Sequence, residues 1–232
     1  GPFVAVWMVV FAVPLFLLTP DRTTTGKPIG AAILDGLSAL WWTFRQLRDY
    51  KDAAWFLLAR MFYADGLNTL FAFGGIYAAG TFNLTFDELI IFGIAMNITA
   101  GLGAFAFAWL DDKIGPKAVI LISVAGMSVL GSALLVVESQ SLFWVFGLPL
   151  GLFVGPAQSA SRSMMAHMAP KSIRTEFFGL YALSGKATAF LGPAFLAWAT
   201  VAFESQRAGM ATIILFFLIG MTLMMKVTAV DR

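Results

Sequence analysis

The chain has 232 residues, of which 59% are hydrophobic and 12% charged, with a formal net charge of +2 and a mean hydropathy of +0.84. A soluble domain carries about 25% charged residues, so a water-soluble fold is excluded in favour of one solvated by lipid. With no cysteine and one histidine, disulfides, thiol catalysis and the usual clusters for zinc, haem or iron–sulfur are excluded as well, and neither cofactor nor metal is expected.

The apolar residues come in blocks cut by short charged clusters, and each block reads as one membrane helix. Barrel strands are ruled out because the blocks are uniformly apolar and do not alternate. The first block, 1–18, has no initiator Met, no basic segment ahead of it and no small-residue cleavage pattern. It reads as a transmembrane helix and not a signal peptide, and further sequence is expected upstream. Residues 19–52 form a loop whose first part, with Pro20, Pro28 and the threonines at 23–25, is expected to be flexible. Further on, Ile33, Leu34, Leu37, Leu40, Trp41, Phe44 and Leu47 recur at helical spacing opposite Asp35, Arg45 and Gln46. That pattern predicts either an amphipathic helix lying on the membrane or a linker helix packed on other loops. Six more spans follow within 53–226, at 53–79, 89–110, 118–137, 142–165, 177–203 and 208–225, and 227–232 is a tail. The class is therefore all-α, a polytopic bundle of about seven transmembrane helices in a lipid bilayer.

Basic residues sort to one side of these spans. Arg22, Lys27, Arg45, Arg48 and Lys51 lie in the long loop, Lys113 and Lys117 in the loop 111–117, Lys171 and Arg174 in 166–174, and Lys226 and Arg232 at the C-terminal end. The alternate loops, 80–88, 138–141 and 204–207, hold Arg207 with Asp87, Glu88, Glu138 and Glu204. By the positive-inside rule the first set and the C-terminus are cytoplasmic. The same distribution explains the basic balance without a nucleic-acid partner.

Ionisable residues inside apolar spans cost roughly 2.5–3.5 kcal/mol each at mid-helix, so they usually face a cavity or a partner. Asp65 lies about 18 Å into its span by helix rise, near the middle of a core about 30 Å thick. Lys186 is similarly deep in the sixth span, which suggests an Asp65–Lys186 pair across a water-filled cavity or, equally, an interhelical clamp. Asp65, Asn68 and Thr69 are spaced for one helical face, and Asn97 on the next span is a candidate to join them. Gln158 and Arg162 lie one turn apart, followed by Ser163, with Arg162 read as a site residue, an inner-gate partner of Glu176, or a snorkelling cation. Arg60 carries the same ambiguity, and His167 reads as interfacial. Asp65 and Glu176 are the carboxylate candidates for proton coupling. Gly74-Gly75, Gly155-Pro156 and Gly192-Pro193 would bend helices or open their hydrogen-bond ladders, and spans two to four and five to seven fit a pair of three-helix repeats. Close packing by small residues is the other reading of such glycines, Gly101 and Gly103 among them.

An intramembrane enzyme is disfavoured. Leu183-Ser184-Gly185 lacks the glycine of a nucleophile turn, since Ala182 precedes it, and the only histidine is near the surface. Gly185-Lys186-Ala187 lacks the Ser or Thr of a phosphate loop. A membrane subunit or scaffold that depends on a partner remains an open alternative.

The loop Ala108-Trp-Leu-Asp111-Asp112-Lys113-Ile-Gly115-Pro116-Lys117 resembles the signature cytoplasmic loop of the major facilitator superfamily, with Ala108 where glycine is usual. That resemblance implies a gate latch at Asp112 and Lys113. The stretch Gly155-Pro-Ala-Gln-Ser-Ala-Ser-Arg-Ser163, then Glu176-Phe-Phe-Gly-Leu-Tyr-Ala-Leu-Ser-Gly-Lys186 and Leu191-Gly-Pro193, is similar to the branch of autophagy-linked vacuolar amino-acid effluxers and their bacterial relatives. The resemblance implies helices six to twelve of a twelve-helix parent, with a cavity shared with an N-terminal half outside this sequence. It further implies a secondary transporter working by alternating access on a small polar solute, with an amino acid as the analogy, in a bacterial inner membrane.

Overall fold

The computed structural model describes residues 2–19, 28, 30, 31, 33–36, 38, 45 and 49–228. It divides into two units, Gly1–Ala39 and Leu40–Arg232. The first contains α1 (Pro2–Leu18), along which Phe3, Trp7 and Phe11 stack with ring centroids 6.0 and 4.6 Å apart. In the amphipathic segment Ile33, Leu34, Asp35 and Arg45 are helical, whereas Leu37, Leu40, Trp41, Phe44, Gln46 and Leu47 lie outside the described residues. So do most of the proline- and threonine-rich stretch and the basic residues Arg22, Lys27, Arg48 and Arg232.

The second unit is built from α2 (Lys51–Phe82), α3 (Phe86–Ile114), α4 (Pro116–Val136), α5 (Gln140–Met168), a 3-10 turn (Lys171–Ile173), α6 (Arg174–Ala187), α7 (Leu191–Ala202) and α8 (Gln206–Met225), and no strand occurs among the described residues. Local chemistry sets the boundaries. Asn83 takes the left-handed conformation that ends α2, and Thr85 and Glu88 form a reciprocal capping box that starts α3. A single residue, Gly115 at φ 83°, joins α3 to α4, and Pro116 opens α4 where its missing N–H costs nothing. This is the physical content of the signature loop.

Helices α3, α4, α5 and α8 are each long and apolar enough to cross a membrane, and the chain is an integral membrane protein of all-α class. At 32 residues α2 matches them in length. The span expected as one helix over 177–203 is instead two, α6 and α7, of 14 and 12 residues. The chain leaves the α-ladder at Thr188–Phe190, where Ala189 N bonds Lys186 O (3.2 Å) and Leu191 N bonds Thr188 O (2.8 Å). Pro193 explains the place: it has no N–H for the carbonyl of Ala189, and its ring crowds that carbonyl, so the ladder opens one turn ahead of it.

Helix neighbours form a repeating pattern. α2 packs on α8 as α5 packs on α4, and α3 packs on α5 as α6 and α7 pack on α2. The α4–α8 and α2–α5 contacts map onto themselves, so exchanging α2–α4 for α5–α8 leaves the pattern intact, as two three-helix repeats require. The loops also fall at two ends as their charges sorted them. At one, Asp52 accepts from Thr228 N (2.9 Å), Lys117 donates to the carbonyl of Val227, and Lys226 lies 4.5 Å from the Trp55 ring centroid. At the other, Gln140 donates to Glu88 (2.6 Å), Thr81 to Gln206 (3.2 Å), and Arg207 to the carbonyl of Val137 (2.9 Å).

Candidate functional site

The polar groups of α2 converge on the break between α6 and α7. Asp65 is 1% exposed, and its Oδ2 accepts a hydrogen bond from the backbone N–H of Gly192 at 2.9 Å. Gly192 lies in the first turn of α7, whose N–H groups have no partner within the helix and carry the positive end of its dipole. Glycine is needed there for a second reason: a Cβ would stand 2.1 Å from Thr69 Oγ1 and 2.9 Å from Asp65 Oδ1. Those two buried oxygens are the surplus of the site, for neither has a hydrogen-bond partner.

Five residues earlier, about 7.5 Å along α2 by helix rise, Arg60 holds the other side of the break. Its guanidinium donates to the carbonyl of Tyr181 (2.6 Å) and to Ser184 Oγ (2.8 Å), and sits 3.6 Å from the Tyr181 ring centroid. A cation therefore meets the C-terminal part of α6 and a carboxylate meets the N-terminus of α7, the arrangement each half-helix dipole favours. Thr188, in the break itself, donates to the carbonyl of Met61 (3.3 Å).

One further bond ties this region to α5. Ser161 donates to the carbonyl of Ala157, so the buried hydroxyl of Tyr63 is the donor in its 2.8 Å contact with Ser161. Tyr63→Phe removes this link and is expected to lower stability by about 1 kcal/mol. A melting temperature in lipid nanodiscs equal to that of the unsubstituted protein would show that the hydroxyl contributes nothing.

The remaining residues singled out in the sequence distribute differently from expectation. Lys186 is exposed and does not pair with Asp65, whose partner is a backbone amide. The reason is rotational: Gly192, and not Lys186, is the residue of this broken span that reaches the Asp65 face of α2. The Asp65, Asn68 and Thr69 face divides, with Asp65 and Thr69 buried against α7 and Asn68 exposed, since residues three and four apart lie on opposite flanks of a helical stripe. Gln158 and Arg162 are exposed on one side of α5. Arg162 makes no ion pair with the half-buried Glu176. Asn97 does not join Asp65; its Nδ2 donates to the carbonyl of Gly93 (2.8 Å) and it lines a separate, mostly apolar cavity of about 240 Å³ with Leu70, Gly74, Phe92 and Phe217. In the signature loop Lys113 lies over Trp109, 3.6 Å from the ring centroid, and Asp112 is exposed. Gly155 and Gly103 serve close packing of α3 on α5, and Gly101 faces open space. Among the described residues no group of three or more His, Asp or Glu is placed to hold a metal ion.

Sequence reasoning missed the pairing of Arg60 with Tyr181 and Ser184 and the unpartnered hydroxyl of Thr69. A signal for the first was present: opposite charges five residues apart in one span, with a Gly-Pro break in another.

The chain is similar to known proteins along almost its whole length. The family profile described as "Vacuole effluxer Atg22 like" matches residues 2–232. An "Uncharacterized MFS-type transporter YxiO" of Bacillus subtilis is 23% identical over 220 residues, covering 95% of this chain and 51% of that protein. The "Autophagy-related protein 22" of Kluyveromyces lactis is 23% identical over 239 residues, covering 94% of this chain and 49% of its own length. The chain thus spans about half the length of the curated relatives it matches.

Proposed function

The chain belongs to the Atg22-like vacuole effluxer family, and from that premise we propose that it is the C-terminal half of a secondary active transporter that moves a small polar solute by alternating access. An amino acid is the first solute class to test, and a proton gradient the proposed driving force. The observation that carries this reading is the broken α6–α7 element, held at its two ends by Arg60 and Asp65. Interrupted membrane helices with charged groups at the interruption are how transporters build binding and coupling sites near the bilayer midplane. Asn68, Gln158 and Lys186 are the proposed solute contacts: each is polar, exposed and carried by a helix that meets at or beside this break. They would face the N-terminal half, with Arg162, Glu176, Asp112 and Lys113 as gate residues at the basic end. That end is assigned to the cytoplasm and the protein to a bacterial inner membrane. The reading is not that of an enzyme.

Uptake of a mixture of radiolabelled amino acids by proteoliposomes holding the full-length protein tests it. Lys186→Ala and Gln158→Ala are each expected to lower the uptake rate roughly tenfold or more. Normal uptake by both variants would sink the site assignment, and no uptake of any amino acid by the unsubstituted protein would sink the solute class.

A further inference from the structure

Lys117 stands in the first turn of α4, the positive end of that helix, where a cation is disfavoured. Its ammonium reaches the end of α8 instead, donating to the carbonyls of Met225 (3.4 Å) and Val227. The carbonyl of Met225, at the last residue of α8, has no partner within that helix. Residues 226–228 are also held by α2: Asp52 Oδ1 accepts from Thr228 N (2.9 Å), and the Lys226 ammonium lies 4.5 Å from the Trp55 ring centroid. Val227 is 1% exposed and belongs to the buried core.

We propose that residues 226–228 are a clasp joining the starts of α2 and α4, and that Lys117 is a positioning residue which acts through it to hold the gate residues Asp112 and Lys113 in place. The link between clasp and gate is short. Gly115 is the single residue between α3 and α4, and its N–H is bonded back to the carbonyl of Asp111 (2.9 Å), so fixing the start of α4 fixes the end of α3 with Asp112 and Lys113. The last basic residue of the signature loop therefore works inside this half of the transporter. Asp112 and Lys113, before the glycine, are exposed, whereas Lys117 is partly buried. This deepens the transporter reading and rests on it for its purpose, because the latch that is positioned is the one assigned to the gate.

Electrostatics favour the clasp from each side. Asp52 is in the first turn of α2, where a carboxylate is stabilised, and Lys226 follows the last turn of α8, where a cation is stabilised. Lys117 is misplaced on its own helix, and the carbonyls at the end of α8 give it the negative helix terminus that α4 does not. A snorkelling lysine sends its ammonium out to the headgroup layer. Lys117 sends its own to two backbone carbonyls that follow from another helix.

Spin labels on the full-length protein in nanodiscs, with no solute present, test the clasp. A label at Thr228→Cys reports the clasp, and one at Ile114→Cys, exposed at the last residue of α3, reports the latch, each carried as the only cysteine. The Thr228 side chain is exposed and its bond to Asp52 uses the backbone, so the label leaves that bond in place. Lys117→Met is expected to raise the ratio of mobile to immobile label about fivefold at both positions, the change set by one hydrogen bond of ordinary strength. Lys117→Arg should restore the ratio, and Asp52→Ala, on the opposite wall, should free the Thr228 label likewise. In proteoliposomes Lys117→Met should lower the maximal uptake rate roughly fivefold at an unchanged half-saturation concentration, since the gate and not the solute site is altered. A Thr228 label as immobile in Lys117→Met and Asp52→Ala as in the unsubstituted protein would overturn the clasp. A freed Thr228 label beside an unchanged Ile114 label would overturn its hold on the latch, as would a raised half-saturation concentration at full rate. The labels need no solute, so a protein that moves no amino acid still reports on the clasp. Normal uptake by Lys117→Met with both labels freed overturns the positioning role alone and leaves the transporter reading standing.

Discussion

Gly103→Val and Gly155→Val are each expected to destabilise the helix bundle by about 3 kcal/mol, the upper end of the usual cost of overpacking. At Gly103 a Cβ would stand 2.0 Å from the backbone oxygen of Leu152 and 2.7 Å from its carbonyl carbon. At Gly155 it would stand 2.1 Å from the oxygen of Ala100 and 3.0 Å from Ala104 Cβ. The obstructing atoms are mostly backbone, so no rotamer change relieves them and α3 must move off α5. Pro156 sharpens the point: it has no N–H for the carbonyl of Leu152, and that carbonyl is the one lying against Gly103. Gly101→Val is the control, since nothing lies within 4 Å of its Cβ position, and it should change stability by no more than about 0.5 kcal/mol. Thermal unfolding in nanodiscs, followed by tryptophan fluorescence, reads all three. If Gly101→Val costs as much as Gly103→Val, close approach of α3 and α5 is not the cause.

Arg60→Met is expected to have the next largest effect, a loss of about 2 kcal/mol together with looser attachment of α6. The substitution keeps the length of the side chain while removing two charge-assisted hydrogen bonds and the contact with the Tyr181 ring. Arg60→Lys should recover part of the loss, because an ammonium keeps the charge but not the planar fork that reaches a carbonyl, a hydroxyl and a ring together. The chain contains no cysteine, so single cysteines placed at Leu58 on α2 and Leu183 on α6, both exposed, can carry spin labels without further changes. The distance distribution between them should broaden in Arg60→Met. An unaltered distribution and melting temperature would mean that the stacking of Tyr181 on Phe56 of α2 holds α6 without the guanidinium.

Composition and block length were enough to determine the all-α membrane class, because lipid leaves a chain no other way to satisfy its backbone than helices when alternation is absent. Lysine and arginine positions were enough to sort the loops to two ends. Gly192-Pro193 was one of three interruptions expected from the sequence, but Gly74-Gly75 and Gly155-Pro156 lie inside unbroken helices, so which of them opens a helical ladder was decided by the packing around it. The partners in the site were not legible in the same way. Whether Asp65 meets Lys186 or Gly192 depends on the rotation of α2 and on where along its length α7 begins, and both are fixed by packing with distant residues. The amide that Asp65 receives is a backbone group, freed only where the helical ladder opens, so no pattern of side chains announces it. The same holds for Arg60, whose principal acceptor is the carbonyl of Tyr181, and for Thr69, whose isolation arises only once α7 has closed over it.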